Sequence, residues 1–188
     1  MEEIDKYELI WAVPEYRRVS PAETILPHIN RLLPGSGTLI DWGCGTGRAT
    51  YALKKTGRFN VVGVDIAYNA LDEVMTDEFP FIVSSFDMLP RNLLRCDYSI
   101  CVDVLEHLPP DLLPGAIGLI CDATDRVALI RVANFPESYG ALIGEELHLS
   151  LHDAAQWERL LARRFRKVKR EWLDEDESPE RYTFVCSN

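Results

Sequence analysis

The stretch LIDWGCGTG (39–47) carries the residue types most suggestive of chemistry, a glycine cluster directly after a short apolar run. Glycine has no side chain, so the backbone can pass unusually close to a neighbouring group at Gly43, Gly45 and Gly47. Asp41 precedes this turn, and Asp65 ends a second apolar run, VVGVDI. A carboxylate at that second position can accept hydrogen bonds from both hydroxyls of a ribose. The pattern indicates a site for a nucleotide-like ligand.

Two well-known glycine motifs do not fit this cluster. A phosphate-binding P-loop needs a lysine followed by serine or threonine after its last glycine, whereas this chain has Arg48 and Ala49. The dinucleotide fingerprint GxGxxG needs a third glycine where Arg48 stands. Taken alone, the cluster is also compatible with an ordinary tight turn, so the surrounding elements decide its meaning.

Predicted strands and helices alternate along the chain. We expect strands at 38–42, 60–66, 80–85, 97–103 and 126–133, and helices at 48–56, 68–75, 110–122 and 153–165. Apolar strands in such an alternation predict a parallel sheet covered on both faces. A strand pair at 166–173 and 181–186, joined by an acidic loop, is expected to complete it. Ligands bind such sheets at the carboxyl ends of the strands, where the glycine cluster lies.

Four segments, taken together, resemble the class I S-adenosylmethionine-dependent methyltransferases in order and spacing: DWGCGTG, GVDI, SSFDMLP and CDYSICVDVLEHLPP. The resemblance is close over residues 36–133 and extends by architecture over the remainder. It implies an α/β, Rossmann-like doubly wound sheet of seven strands, mostly parallel with an antiparallel C-terminal strand. Two looser matches, YRRVSP (16–21) and GEELHL (144–149), resemble small phage-type and prophage-type members.

The resemblance implies S-adenosylmethionine as cofactor, with S-adenosylhomocysteine as its product. The glycine loop would meet the methionine part through the backbone of Gly43, Gly45 and Gly47. Asp41 would lie beneath that loop, near the amino group, and Asp65 would bind the ribose hydroxyls.

The resemblance implies further contacts along the cofactor. Ile66 would pack against the adenine, and Asp103 would line the methionine side with the backbone of Val102. Ser85 occupies the position where the family often has an acidic residue for the adenine amino group. Phe86 either stacks on the ligand or fills space.

Three residues are candidates for catalysis. His107 follows the fourth predicted strand and His148 lies after the fifth, so both are expected at the mouth of the crevice. An imidazole that titrates near neutral pH suits a general base that removes the acceptor's proton, although a structural role is equally open for either ring. Glu106 would hold the methionine amino group, orient His107 or begin the next helix. No metal site is expected, because the five cysteines are dispersed without a CxxC pair.

Composition narrows the function classes. The formal charge of −10 argues against a surface that binds nucleic acid through its phosphates, although one local patch, RRFRKVKR (163–170), leaves this open. The expected acceptor is a small molecule or modified nucleotide. A catalytically silent cofactor-binding subunit and a nucleotide-dependent oxidoreductase are the alternatives.

Length and termini set the expected organisation. The 188 residues predict one domain, with an N-terminal helical lid (1–35), a cofactor-binding core (36–133) and a substrate-side region (134–188). No apolar stretch approaches the roughly 20 residues of a membrane span. The acidic N-terminus lacks the features of a signal peptide, and the odd number of cysteines favours reduced thiols, so we expect a cytoplasmic protein.

Overall fold

The fold is built around a sheet with the strand order β3-β2-β1-β4-β5-β7-β6. In this computed structural model, residues 1–173 and 180–188 are described, so the core of the predicted acidic loop (174–179) lies outside the described residues. The strands are β1 (Gly37–Trp42), β2 (Phe59–Asp65), β3 (Phe81–Val83), β4 (Cys96–Val102), β5 (Thr124–Ala133), β6 (Lys167–Glu171) and β7 (Arg181–Ser187). β1 to β5 pair in parallel and β7 runs antiparallel to both neighbours. The predicted seven-stranded, mostly parallel α/β sheet is confirmed.

Seven α-helices flank the sheet in the described part of the chain. They are α1 (Glu3–Trp11), α2 (Pro14–Arg17), α3 (Pro21–Thr24), α4 (Leu26–Leu32), α5 (Arg48–Lys55), α6 (Leu113–Ala123) and α7 (Ala154–Leu161). α7 begins with a capping box, because the Asp153 carboxylate accepts from the backbone of Gln156 and the Gln156 side chain accepts in return.

The helix predicted at 68–75 is wrong, since only a single 3₁₀ turn forms there, at Glu73–Met75. Arg17 supplies a reason. Its guanidinium donates hydrogen bonds to the backbone carbonyls of Asn69, Ala70 and Leu71, which a helix would need for its own ladder. A residue from far along the chain therefore overrides the local apolar periodicity.

Two apolar layers cover the two faces of the sheet. Side chains alternate along β1, so that Leu39 packs on one face while Ile40 and Trp42 pack on the other. The first layer includes buried residues from α4 and α5: Ile29 and Leu53 among them. The second includes buried residues from α6 and α7, such as Ile117 and Trp157. The sheet is thus held rigidly between helices, which fixes the position of its strand ends.

A third, smaller apolar cluster joins the N-terminal segment to the carboxyl edge of the sheet. Tyr7, Ile10 and Trp11 of α1 pack there with Ala67, Ala70 and Leu147. The chain reverses its winding direction between β1 and β4, which are parallel neighbours. The N-terminal segment therefore lies over the switch point where such sheets bind ligands. None of the helices in the described ranges is long and apolar enough to span a bilayer.

Candidate active site

Two adjoining cavities open at the carboxyl edge of the sheet. The larger has a volume of about 610 Å³ and the smaller about 360 Å³. Their linings share five residues: Trp11, Tyr16, Gly43, Asp103 and His107. The shared lining means that the two cavities lie side by side at this edge of the sheet.

The glycine loop follows β1 and forms the floor between the cavities. Gly45 has a φ of +53°, and a Cβ added there would lie 2.8 Å from the Trp11 ring. Gly43, predicted for the cofactor, lines both cavities, and Gly45 lines the smaller one. Gly47 lines neither in the described chain; it is the N-cap of α5 with a φ of +77°, and a Cβ added there would meet Leu71 and Phe79. The absence of a side chain at Gly47 therefore lets these two apolar residues pack against the start of the helix.

Asp65 ends β2 and faces the larger cavity. One carboxylate oxygen accepts a hydrogen bond from the Gly45 backbone N–H at 2.9 Å, and the other accepts from Ala67 at 3.1 Å. Burial raises the pKa of Asp65 to about 6, although these backbone hydrogen bonds work against the rise. Because a carboxylate has about four acceptor sites, Asp65 keeps acceptor capacity for a hydroxyl group of a ligand.

Asp41 lies beneath the glycine loop and lines the smaller cavity. Its carboxylate accepts a hydrogen bond of 2.5 Å from the Thr50 hydroxyl in α5. Burial raises the pKa of Asp41 to about 7, and the charge of Asp65 adds to the rise. The pair thus links the end of β1 to the helix that follows it.

Asp103 lines both cavities directly after β4, with the left-handed φ of +52°. The carboxylate is 3.8 Å from the Arg131 guanidinium and 3.6 Å from that of Arg181. Arg131, which is buried in β5, therefore pairs with a predicted cofactor residue. Arg181 itself lines the smaller cavity.

The residues predicted to surround the adenine also line the larger cavity. Ile66, Ser85 and Phe86 all line it, together with Asp87. The Phe86 ring is stacked on Trp42, with ring centres 5.7 Å apart and planes 24° from parallel. Phe86 therefore packs on a core residue of β1 and also lines the cavity.

The two histidines predicted for the acceptor side come together. His107 lines both cavities and His148 the smaller one, with ring centres 4.6 Å apart and planes perpendicular. Burial, together with the nearby charges of His148 and Lys6, lowers the pKa of His107 to about 3. Such a ring is neutral at physiological pH and only a weak base.

Glu106 is completely buried and does not line either cavity as the described chain forms them. Its Oε1 accepts from the Ala133 backbone N–H at 2.8 Å. Its backbone carbonyl accepts from the N–H groups of Leu149 and Ser150. Burial and the charge of Asp103 raise the pKa of the Glu106 carboxyl well above its usual range. Glu106 thus joins the turn after β4 to the end of β5 and to the loop that follows His148, and the three roles predicted for it stay predictions.

The sequence predicted an N-terminal helical lid over residues 1–35, but not which of its residues line the site. Tyr7, Trp11 and Tyr16 line the cavities, and Trp11 and Tyr16 stack edge-to-face at 4.7 Å. Arg17 fastens the segment, since it bonds to the Asp72 carboxylate at 2.7 Å as well as to backbone carbonyls. The aromatic residues were visible in the sequence, but nothing local indicates the surface that they cover.

Comparisons with known proteins agree with this architecture. Residues 39–125 match the model of a family described as a methyltransferase domain. Among solved structures, the chain is similar to a SAM dependent methyltransferase from Archaeoglobus fulgidus, with a TM-score of 0.68 and 20% identity over 93% of this chain and 97% of that one. No curated protein matches it.

Two further solved structures resemble the whole chain. Magnesium protoporphyrin IX methyltransferase (ChlM) from Synechocystis PCC 6803, with bound SAH, has a TM-score of 0.62 and 17% identity over 98% of this chain and 93% of that one. A chain in the complex between the Haloferax volcanii Trm112 methyltransferase activator and the putative methyltransferase has a TM-score of 0.71 and 16% identity, covering 100% and 98%. The chain thus has the fold of S-adenosylmethionine-dependent methyltransferases, and residues 39–125 match the model of a methyltransferase domain.

Proposed function

We propose that this protein transfers a methyl group from S-adenosylmethionine to a small molecule or a modified nucleotide. The observation that carries the proposal is the joined pair of cavities bounded by the glycine loop, Asp65 and Asp103, within a domain that matches a methyltransferase family. We also propose that it is most similar to the small phage-type and prophage-type members of the family, because it contains the segments YRRVSP and GEELHL.

The residues present fit the cofactor. The larger cavity, with Asp65, Ile66, Ser85 and Phe86 in its lining, suits a nucleoside, because a carboxylate and apolar walls recognise a ribose and a base. Methionine atoms would meet the backbone of the glycine loop and the carboxylates of Asp41 and Asp103. When bound, the cofactor supplies a methyl group on an already activated sulfonium.

The chain's task is then mainly to hold the acceptor in line with the methyl group. Positioning alone can account for much of the acceleration of such a transfer, so no covalent nucleophile is required. His107, His148 and Glu106 are proposed to promote loss of the acceptor's proton, which a hydroxyl or a weakly acidic amine must lose. His107 would act as part of the pair, because a weak base alone removes a proton poorly.

The size of the acceptor follows from what surrounds the smaller cavity. About 360 Å³ lies between the glycine loop and the N-terminal aromatic residues, which suits a small ligand. The net charge of −10 disfavours a nucleic-acid polymer. All five cysteines are free thiols, which supports the proposed cytoplasmic setting.

An acceptor screen tests the proposal. The full chain is incubated with S-adenosylmethionine and pools of metabolites and nucleotides, and mass spectrometry measures S-adenosylhomocysteine together with the methylated product. We expect equal amounts of the two, and a loss of about 10²–10⁴-fold in rate for His148→Gln. His28→Gln is the matched control, since His28 lies in α4 and lines neither cavity among the described residues. Cofactor binding without turnover in any pool would favour a regulatory subunit instead.

A further inference from the structure

Glu106, His107 and His148 form a compact cluster of possible metal ligands. Each offers one ligand atom, and these atoms all lie within 4.8 Å of one another. Glu106 and His107 belong to a 3₁₀ turn, Leu105–His107, after β4, while His148 comes from the loop after β5. The backbone carbonyl of Glu106 holds that loop through Leu149 and Ser150. The cluster is therefore fixed by the fold.

In each of the three side chains, one polar atom makes a hydrogen bond to the backbone and a second polar atom is available to bind a ligand. Oε1 of Glu106 accepts from Ala133, while Oε2 is buried with no hydrogen-bond partner in the described chain. Nδ1 of His148 lies 2.6 Å from the Phe135 carbonyl, which leaves Nε2 to face other groups. Nδ1 of His107 is likewise buried without a hydrogen-bond partner among residues 1–173 and 180–188. The ring also makes a hydrogen bond to the backbone of Leu147, and this bond is therefore made by Nε2.

These unused atoms need an explanation, because leaving a buried polar atom without a partner costs about 1–3 kcal/mol. Histidines that bind metals almost always donate their second ring N–H to a carbonyl or carboxylate, which fixes the ring and directs the free nitrogen at the metal. The backbone carbonyls beside His107 and His148 supply that support. The nearby ammonium of Lys6 is paired with Glu3 at 2.7 Å.

We propose that Glu106, His107 and His148 bind a divalent transition-metal ion such as Zn²⁺, with an open coordination position toward the smaller cavity. Two imidazoles and one carboxylate are the donor set of catalytic zinc sites, which keep a fourth position for water or substrate. Both histidines line that cavity, so the open position is accessible to a ligand. No metal site is expected from the sequence because its cysteines are dispersed, but cysteine spacing says nothing about a site made of two histidines and a glutamate.

The role of the ion rests on the proposed function. An acceptor hydroxyl at the open position would have its pKa lowered, as metal-bound water does. Its O–H bond would break, with the proton passing to water and the electron pair staying on oxygen. That oxygen would form the bond to the methyl carbon as the methyl–sulfur bond breaks, and the sulfur would keep the electron pair of that bond and leave as S-adenosylhomocysteine. No electron transfer is involved. The proposal thus narrows the acceptor to a molecule with an oxygen donor.

Metal titration of the full chain tests the site without any acceptor. The protein is stripped with a chelator, dialysed and titrated with Zn²⁺ in a calorimeter, and with Co²⁺ while its visible absorption is recorded. We expect one ion per chain and cobalt bands typical of nitrogen and oxygen ligands. Thiolate ligands would instead add sulfur-to-cobalt charge-transfer bands, which would contradict the proposal.

Variants separate the site from the rest of the molecule. Glu106→Gln and His148→Gln should each weaken Zn²⁺ binding by more than about 100-fold, since even outer-shell changes cost about 10- to 100-fold. His28→Gln should bind like the wild type. Circular dichroism and S-adenosylhomocysteine binding verify that each variant is folded, and a variant that fails to fold is replaced by His107→Gln.

The outcomes distinguish this proposal from the proposed function. One ion bound through these side chains supports the metal site even if S-adenosylhomocysteine does not bind. S-adenosylhomocysteine binding by a chain that takes up no Zn²⁺ at micromolar concentration overturns the metal site and leaves the methyltransferase proposal standing. Equal Zn²⁺ affinity in the wild type, Glu106→Gln and His148→Gln also overturns it.

Discussion

The two walls of the site differ in how their polar groups are satisfied. On the sheet side, Asp65 accepts from two backbone amides and Asp41 from the Thr50 hydroxyl. On the opposite side, buried polar atoms lack hydrogen-bond partners in the described chain: the Tyr7 hydroxyl, Glu106 Oε2 and His107 Nδ1. The carboxylates of the sheet-side wall are held by donors of the protein itself, whereas the N-terminal and histidine wall has buried polar atoms that only a ligand would satisfy. The first wall is accordingly expected to govern stability and cofactor affinity, and the second the chemistry.

The largest expected effect is a loss of stability from a substitution at Gly45, where the two walls touch. Gly45→Ala would force a side chain into a left-handed conformation, which costs about 1–2 kcal/mol, and against the Trp11 ring, where overpacking costs about 1–3 kcal/mol more. Chemical denaturation measures the loss in free energy of unfolding. Gly57→Ala is the matched control, because Gly57 has a φ of +72° and nothing within 4 Å of the added Cβ. Equal losses for the two variants would show that the walls are not in contact.

Asp65→Ala tests the sheet-side wall itself. We expect cofactor binding to weaken by about 1.5–3 kcal/mol, the range for hydrogen bonds to a charged group. The thermal midpoint should also fall, because the Gly45 and Ala67 amides lose their acceptor. Asp97→Ala is the control, since Asp97 accepts from the Thr38 backbone at the opposite edge of the sheet. Unchanged affinity for S-adenosylhomocysteine in Asp65→Ala would remove Asp65 as the ribose ligand.

Arg17→Ala tests whether the N-terminal wall must be fastened for binding. Its guanidinium joins the segment to Asp72 and to the carbonyls of Asn69 and Ala70. Loosening it should weaken S-adenosylhomocysteine binding by about 1 kcal/mol, or about fivefold in Kd, measured by calorimetry. The exposed neighbour Arg18 provides the control variant, Arg18→Ala. If both variants bind like the wild type, the segment does not contribute to the cofactor site.

The smallest expected effect is a pH dependence of cofactor affinity. The pKa of Asp65 is raised to about 6, and the ribose hydroxyls bind best to its ionised form. Affinity is therefore complete above this pKa and is lost as the pH falls through it, about twofold at pH 6 and about tenfold at pH 5. Calorimetry from pH 5 to 8 measures the profile, which should flatten in Asp65→Asn. A flat wild-type profile would show that Asp65 does not titrate with binding.

The sheet-side wall was predictable because its signals are local in the sequence. The glycine loop follows β1 directly, and Asp65 and Asp103 stand at or just after strand ends, so period and turn chemistry suffice to locate them. Gly47 shows the limit of this reasoning. Its position in the motif suggested a ligand contact, but Leu71 and Phe79 are what approach it.

The sequence predicted a lid and two histidines for the other wall, but not the contacts between them, because that wall is assembled from residues far apart in the chain. Tyr7 and Trp11 belong to the first helix, and Arg17 reaches carbonyls more than 50 positions away. The same contacts override the apolar periodicity of 68–75, which alone indicated a helix. The proximity of His107 and His148 was suggested by their positions after strand ends. The buried atoms of their cluster that lack hydrogen-bond partners in the described chain could be identified only from the structure.

The central claim is that these cavities bind S-adenosylmethionine, and calorimetric titration of the full chain with S-adenosylhomocysteine tests it most directly. NADH, a nucleotide of a different cofactor class, is titrated in parallel. The account predicts one S-adenosylhomocysteine bound per chain, a raised thermal midpoint in its presence, and no heat of binding for NADH. Binding of NADH with no response to S-adenosylhomocysteine at saturating concentration would contradict it.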